Sequence, residues 1–281
     1  MSVRYISLLR WAGAKKWLIP RIQTDSLGSF RYVEPFLGSG IVLLNMDPNL
    51  VCIGGDENQD LIEALVSIRD EPANVVEHIS RMRNHKDEYL SIRQLDRQPN
   101  FSSLARDFRA ARFVYLNHTC FNGLYRVNSR GEFNVPFGNR KVELSDVVAR
   151  INETSARLRE KLLIAGSENL IRGDFHRLLD SAKRGDFYYL DPPYSEISTR
   201  SSFTGYTAAG FSKGNHFSLL DWMAHARESG VRVLLSNSYR ESLVSYAKAL
   251  DLQVEKHVIR RSIAASANKR GNAEEVLIAN Y

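Results

Sequence analysis

At 281 residues, 43% hydrophobic and 25% charged, the chain has ordinary globular proportions, which exclude intrinsic disorder and leave room for one large α/β domain carrying an insertion or for two modest domains. Only Cys52 and Cys120 are present, far apart and outside any C-x-x-C pattern, so no disulfide framework or cysteine zinc site is supported and a reducing cytoplasm is the expected compartment. The net charge of +6 is unevenly spread: residues 81–141 hold twelve Lys and Arg against five acids, a basic middle that reads either as a polyanion-binding lobe or as a solvated helical face.

From the amino terminus, Arg4, Arg10, Lys15 and Lys16 interrupt the apolar residues, so no signal peptide is expected. No apolar run reaches the roughly 18–20 residues needed to span a bilayer, which argues against a membrane role. Arg31-Tyr-Val33 predicts a strand, Glu34-Pro-Phe-Leu-Gly-Ser-Gly40 a glycine turn and Ile41-Val-Leu-Leu44 the start of an apolar helix. Leu50-Val-Cys-Ile53 predicts a second strand ending at Gly54-Gly-Asp56, followed by a helix through Leu61, Ile62, Leu65, Val66 and Ile68. These are opening units of a parallel sheet with crossover helices. Over residues 71–163 the texture changes to long charged helices around a compact segment, 122–136, whose Asn128-Ser-Arg-Gly131 centre predicts a hairpin turn. The α/β texture resumes with strands at 163–165 and 186–190, a helix around 219–226, and strands at 231–235, 254–259 and 276–279. There is no internal repeat and no low-complexity tract.

Three sites in this pattern suggest chemistry. The glycines of the turn at 34–40 let backbone approach a nucleotide-like ligand, and Asp56 at the end of the next strand is placed to accept hydrogen bonds from ribose hydroxyls. The longer G-x-G-x-x-G of nicotinamide and flavin enzymes is missing, and the glycine pair also reads as a purely structural turn. Third, Asp191-Pro-Pro-Tyr194 follows the apolar strand Phe187-Tyr-Tyr-Leu190, at the carboxyl edge of the sheet where ligands of such folds bind. Two prolines fix φ and offer no N–H, so their carbonyls are rigid acceptors. The Asp191 carboxylate and the Pro192 carbonyl could accept both hydrogens of a planar amine, and Tyr194 could stack on its ring. The string alone also reads as a proline turn capping a strand.

Together with Leu9-Arg-Trp-Ala-Gly-Ala-Lys15, Asn122-Gly-Leu-Tyr-Arg-Val-Asn128, Gly131-Glu-Phe-Asn-Val-Pro-Phe-Gly138, Leu235-Ser-Asn237 and Arg260-Arg-Ser-Ile263, these motifs make the chain resemble, nearly end to end, the Dam-type DNA adenine-N6 methyltransferases of the α arrangement. The resemblance implies a Rossmann-like α/β methyltransferase domain built from residues 1–58 and 164–281, with a helical and hairpin target-recognition domain, 59–163, inserted between them. It implies S-adenosylmethionine as cofactor, held by Trp11, Lys15, Glu34, Phe36, Gly38, Gly40, Asp56, Asp174 and Asp191, with Asp56 on the ribose and Asp174 on the adenine amine. Catalysis falls to Asp191, Pro192, Pro193 and Tyr194, acting on an adenine turned out of double-stranded DNA. For DNA, the resemblance implies that Arg126 reads a guanine, that Leu124 and Pro136 meet a thymine methyl, that Phe121 fills the vacated stack, that Asn128 and Asn134 hold phosphates and that Arg10 lies at the target's edge. At Asn139-Arg140 the chain departs from the basic-aromatic pair more familiar in that family, which leaves the last base pair of a GATC-like site open.

No metal is expected, since the seven histidines are scattered, and neither cysteine follows the Pro-Cys pattern of cytosine-C5 chemistry. Methylation of adenine in RNA or of a glutamine amide in protein are rival readings for a D-P-P-Y loop, and a sequence-specific DNA-binding protein without turnover is a third. The resemblance further implies a monomer, a cytoplasmic protein of bacterial or phage origin, and a cognate restriction enzyme as a candidate partner.

Overall fold

A computed structural model describes residues 4–162, 169–194, 211–260 and 272–281. Its seven strands form one sheet: β1 (Arg31–Glu34), β2 (Val51–Asp56), β3 (Leu170–Arg172), β4 (Phe187–Leu190), β5 (Arg232–Ser238), β6 (Gln253–Arg260) and β7 (Asn272–Ala279), in the order β3-β2-β1-β4-β5-β7-β6. The pairs β2·β3, β1·β2, β1·β4 and β4·β5 are parallel, whereas β7 runs antiparallel to both β5 and β6. Strand order reverses between β1 and β4, so the ligand crevice of this Rossmann-like sheet should lie beyond their carboxyl ends. Those ends carry the glycine turn and Asp191.

Alternation of side chains along each strand divides the core into two layers. Tyr32, Cys52, Phe187, Tyr189, Leu234 and Leu277 belong to one buried cluster with residues of α1 (Ile19–Asp25), α2 (Gln59–Asp70) and α6 (Leu144–Leu162), which α3 (Pro72–Ser80), α4 (Lys86–Gln94) and α5 (Arg106–Thr119) extend away from the sheet. Val33, Tyr188, Leu190, Val233, Leu235 and Ile278 face α7 (His176–Leu179), α8 (Lys213–Glu228) and α9 (Glu241–Ala249). All four residues of β4 are buried, as expected of a central parallel strand covered on both faces. Burying a side chain such as Phe187 stabilises the fold by about 1.5–3 kcal/mol. Asn280 fixes β7 at its end, accepting the Val233 N–H and donating to the carbonyls of Met223 and Val231.

Two sequence expectations change. The apolar helix expected from Ile41 is a single 3-10 turn, Leu43–Asn45. Pro48 follows closely, and the Asn45 side chain ties the turn to Ile6 and Ile41 instead of letting it propagate. The hairpin of 122–136 is narrower than two strands: isolated bridges join Cys120 to Phe137 and Val127 to Phe133, and the turn closes through Gly131 N–H to the Asn128 carbonyl, with Gly131 at φ 79°. The strand expected at 163–165 and the motif residues 261–263 lie outside the described residues, while the strand pairing with β2 is β3.

Candidate active site and nucleic-acid interface

Asp56 ends β2 with its carboxylate turned back onto the glycine turn. Its Oδ2 accepts the Gly38 N–H and its Oδ1 the Asn58 N–H, each at 2.9 Å. Burial pushes this carboxyl up while the two backbone donors hold it down. Gly38 needs its left-handed φ of 49°, and a Cβ there would stand 3.0 Å from Trp11 Nε1. Trp11 therefore lies directly over the turn. Phe36 packs against Phe175 and Phe211, making an aromatic wall beside it. Glu34 is buried to 3% exposure and points inward: its Oε2 accepts the Tyr32 hydroxyl and the Leu43 N–H, and burial pushes its carboxyl up to about 8. Asp174 sits just after β3, where Gly173 N–H reaches the Asp56 carbonyl, but it is over half exposed and engaged by His176.

At the end of β4 the polar groups converge. Tyr189 and Asp191, Leu234 and Ser236, and Leu277 and Glu275 are pairs two residues apart, so Asp191, Ser236 and Glu275 project to the same face of the sheet. Lys15 reaches into that group: its Nζ lies 2.9 and 3.0 Å from the two oxygens of Asp191, 3.1 Å from the Gly13 carbonyl and 3.0 Å from the Tyr194 hydroxyl. Ser236 donates to Asp191 Oδ1 at 2.9 Å, and the Tyr194 hydroxyl donates to Glu275 Oε1 at 2.9 Å. Burial alone would lower the Lys15 ammonium; the charges of Asp191 and Glu275 and the Tyr194 hydroxyl hold it above the ordinary lysine range. Lys15 thus stays protonated. Pro192 is buried and Pro193 exposed, and all described peptide bonds are trans.

In the recognition segment, Arg126 Nε donates to Asn134 Oδ1 at 2.6 Å, so those two residues meet across the loop. Asn128 is spent on the turn, accepting the N–H groups of Arg130 and Glu132 and donating to the Glu132 carboxylate. Phe121 is 44% exposed and Pro136 is exposed, with Leu124 half-buried between them in the chain. Gly123 has no room for a Cβ because Arg10 Cβ would be 2.5 Å away, which seats Arg10 against this loop. Burial, then the neighbouring Arg140, lower the Arg10 guanidinium. Much of the basic middle is neutralised internally: Arg83 pairs with Glu88, Arg97 with Glu132, Arg109 with Glu63 and Arg112 with Asp96. Arg10, Arg126, Arg130 and Arg140 have no carboxylate partner among the described residues.

Sequence reasoning did not anticipate Glu275 or the ring of Tyr125. Tyr125 stacks on Trp11 (centroids 5.9 Å apart, planes at 22°) and donates to Asp60 at 3.2 Å, so the residue beside Arg126 touches the glycine-turn side of the crevice. The signal for Glu275 was a charged residue directly before the apolar run Val276-Leu-Ile-Ala279.

A family model for D12 class N6 adenine-specific DNA methyltransferases matches residues 11–262, which covers every residue just described except Arg10, Glu275 and Leu277. The chain belongs to this family. Among its relatives, the type II methyltransferase M1.LlaDCHI of Lactococcus lactis subsp. cremoris is 34% identical over 278 residues, spanning 97% of this chain and 94% of the relative. The type II methyltransferase M.MjaIII of Methanocaldococcus jannaschii is 31% identical over 295 residues, spanning 97% and 98% of the two chains. The DNA adenine methylase of Vibrio cholerae serotype O1 is 32% identical over 276 residues, spanning 96% and 94%. Membership of the family supports adenine methylation of DNA and implies S-adenosylmethionine as the methyl donor. No helix among the described residues is long and apolar enough to cross a membrane.

Proposed function

We propose that this adenine-specific DNA methyltransferase modifies N6 of an adenine turned out of duplex DNA, within a site containing G-A-T, with GATC as the leading candidate. The observation that carries the reading is the Asp191 carboxylate at the switch point of the sheet, gripped by Lys15 and Ser236 and followed by two prolines. Adenine N6 is a poor nucleophile because its lone pair is delocalised into the ring. Asp191 Oδ2, which among the described residues accepts from Lys15 alone, and the Pro192 carbonyl are the acceptors for its two hydrogens, and both favour electron density on nitrogen. Lys15 is held protonated, so it orients Asp191, and the proton released from the methylated N6 passes to water.

The crevice fits S-adenosylmethionine. Asp56 faces the ribose, the absence of a side chain at Gly38 lets Trp11 close down on the glycine turn beside the cofactor, and the Phe36–Phe175 wall accepts a flat adenine with Asp174 at its rim. Bound there, the cofactor supplies an electrophilic methyl. Glu34 acts indirectly, by bracing the turn. For DNA, residues 59–163 serve as the target-recognition part. Arg126, held by Asn134, presents two donors to guanine O6 and N7; Leu124 and Pro136 meet the thymine methyl; Phe121 enters the space the adenine leaves. Asn128 keeps the loop in shape, and any phosphate it binds must share its amide with Glu132. Arg10 and Arg140, which repel each other and have no carboxylate partner among the described residues, favour an anionic or guanine partner at the site's outer base pair. The family resemblance supports a monomer, with a restriction enzyme of the same specificity as a candidate partner.

A competition assay with tritiated cofactor tests the reading. Label should pass to duplex DNA in preference to RNA or protein; label recovered mainly in RNA or on glutamine would reject it.

A further inference from the structure

Glu275 stands in the same cluster but is not one of the D-P-P-Y residues. It lies on β7 opposite Ser238 of β5 and is 2% exposed. A phenolic hydroxyl has one proton to give and lone pairs to receive. At Tyr194 both are used: Lys15 Nζ donates to the oxygen at 3.0 Å, and the hydroxyl proton goes to Glu275 Oε1 at 2.9 Å. The ring is thereby held at its far end by two groups on different elements. A swing of the side chain would break both bonds in a site where water is a poor substitute.

We propose that Glu275 is a positioning residue for methyl transfer: by accepting the Tyr194 hydroxyl it fixes the ring at the angle on which the target adenine stacks beside Asp191 and Pro192. The inference rests on the reading above that Tyr194 stacks on that base. Glu275 itself touches neither base nor cofactor. What matters is its capacity to accept a hydrogen bond, so an amide at the same position can replace the carboxylate and a hydrocarbon of similar size cannot.

The test uses the full chain, S-adenosylmethionine and duplexes with adenine or fluorescent 2-aminopurine at the target. Glu275→Leu should lower kcat about tenfold, the loss expected of one good hydrogen bond, with KM for DNA and Kd for the cofactor within twofold. Extruded 2-aminopurine should fluoresce more brightly in Glu275→Leu, because it stacks less on Tyr194. Glu275→Gln should keep at least half of kcat. In a Tyr194→Phe background, Glu275→Leu should have no further effect. The proposal is overturned if Glu275→Leu leaves kcat and fluorescence unchanged, if Glu275→Gln falls as far as Glu275→Leu, or if the losses multiply in the double variant. Should Glu275→Leu not fold, Tyr194→Phe decides alone: a comparable loss supports the proposal and full kcat overturns it. Failure of the wild-type protein to methylate adenine would instead reject the underlying reading.

Discussion

Lys15 and Asp191, 176 positions apart in the chain, form an ion pair in which the ammonium is 3% exposed and the carboxylate 22% exposed. The pair joins the amino-terminal W-A-G-x-K segment to the D-P-P-Y loop. Removing one member of a buried pair leaves the other charge uncompensated, which costs up to about 3–5 kcal/mol. Asp191→Ala should therefore abolish methyl transfer and also lower the melting temperature, less whatever Tyr194 and Glu275 still offer Lys15. Adding Lys15→Met to Asp191→Ala should recover much of the stability and none of the activity. Thermal denaturation alongside a transfer assay checks both; an Asp191→Ala protein as stable as wild type would show that the pair is not buried.

The glycine turn makes a second prediction. Gly38→Ala forces a side chain into a left-handed conformation 3.0 Å from Trp11, so it should cost about 1–2 kcal/mol in stability and weaken cofactor binding. Asp56→Ala removes the acceptor for Gly38 and Asn58 as well as the proposed ribose contact. Calorimetry should show the dissociation constant for S-adenosylmethionine rising by roughly tenfold to a hundredfold, about 1.5–3 kcal/mol. Unchanged affinity would move the cofactor elsewhere.

How much of this was legible in the sequence follows from how local each feature is. The strand-turn pair at Arg31–Gly40, Asp56 at the end of β2 and Asp191 after β4 are read from short runs whose period and punctuation survive in the fold. The antiparallel insertion of β7 between β5 and β6 is set by long-range register, so nothing near Glu275 or Ser236 in the chain announced that they would face Asp191. The basic middle reads in the sequence either as a polyanion-binding lobe or as a solvated helical face, and composition could not divide it: Arg109 and Arg112 of α5 pair with Glu63 and Asp96 and Arg83 pairs with Glu88, whereas Arg10, Arg126, Arg130 and Arg140 have no carboxylate partner among the described residues. The helix expected at Ile41 failed because side-chain capping by Asn45 outcompeted an apolar pattern too short to propagate.

Recognition should separate into two measurable parts. Phosphate contacts position the protein and base contacts read the sequence. Affinity should fall by about 0.9 decades per decade of salt for each phosphate neutralised. Arg126→Ala should cost about 1–3 kcal/mol of discrimination at the guanine 5′ of the adenine while cofactor affinity is kept. Binding to a panel of single-base variants of GATC checks it; equal loss on every sequence would make Arg126 a phosphate contact.

Glu34 gives a pH prediction. Burial raises its carboxyl to about 8 in the folded chain, against an ordinary value near 4.3 when unfolded. The unfolded state thus loses this proton first, so the stability is fully present below about pH 4.3 and is lost as pH rises toward 8, at a limiting slope of about 1.4 kcal/mol per pH unit. Glu34→Gln should flatten that decline in urea melts taken from pH 5 to 8. Parallel curves for the two proteins would mean that Glu34 is not the buried acid responsible.

The most direct test of the central claim is methylation-aware sequencing of plasmid DNA from cells lacking their own adenine methylation and expressing this chain, with Asp191→Ala as control. The account predicts N6-methyladenine preceded by guanine and followed by thymine, and none in the Asp191→Ala sample. Unmodified adenine in the wild-type sample, or equal modification in the control, would contradict it.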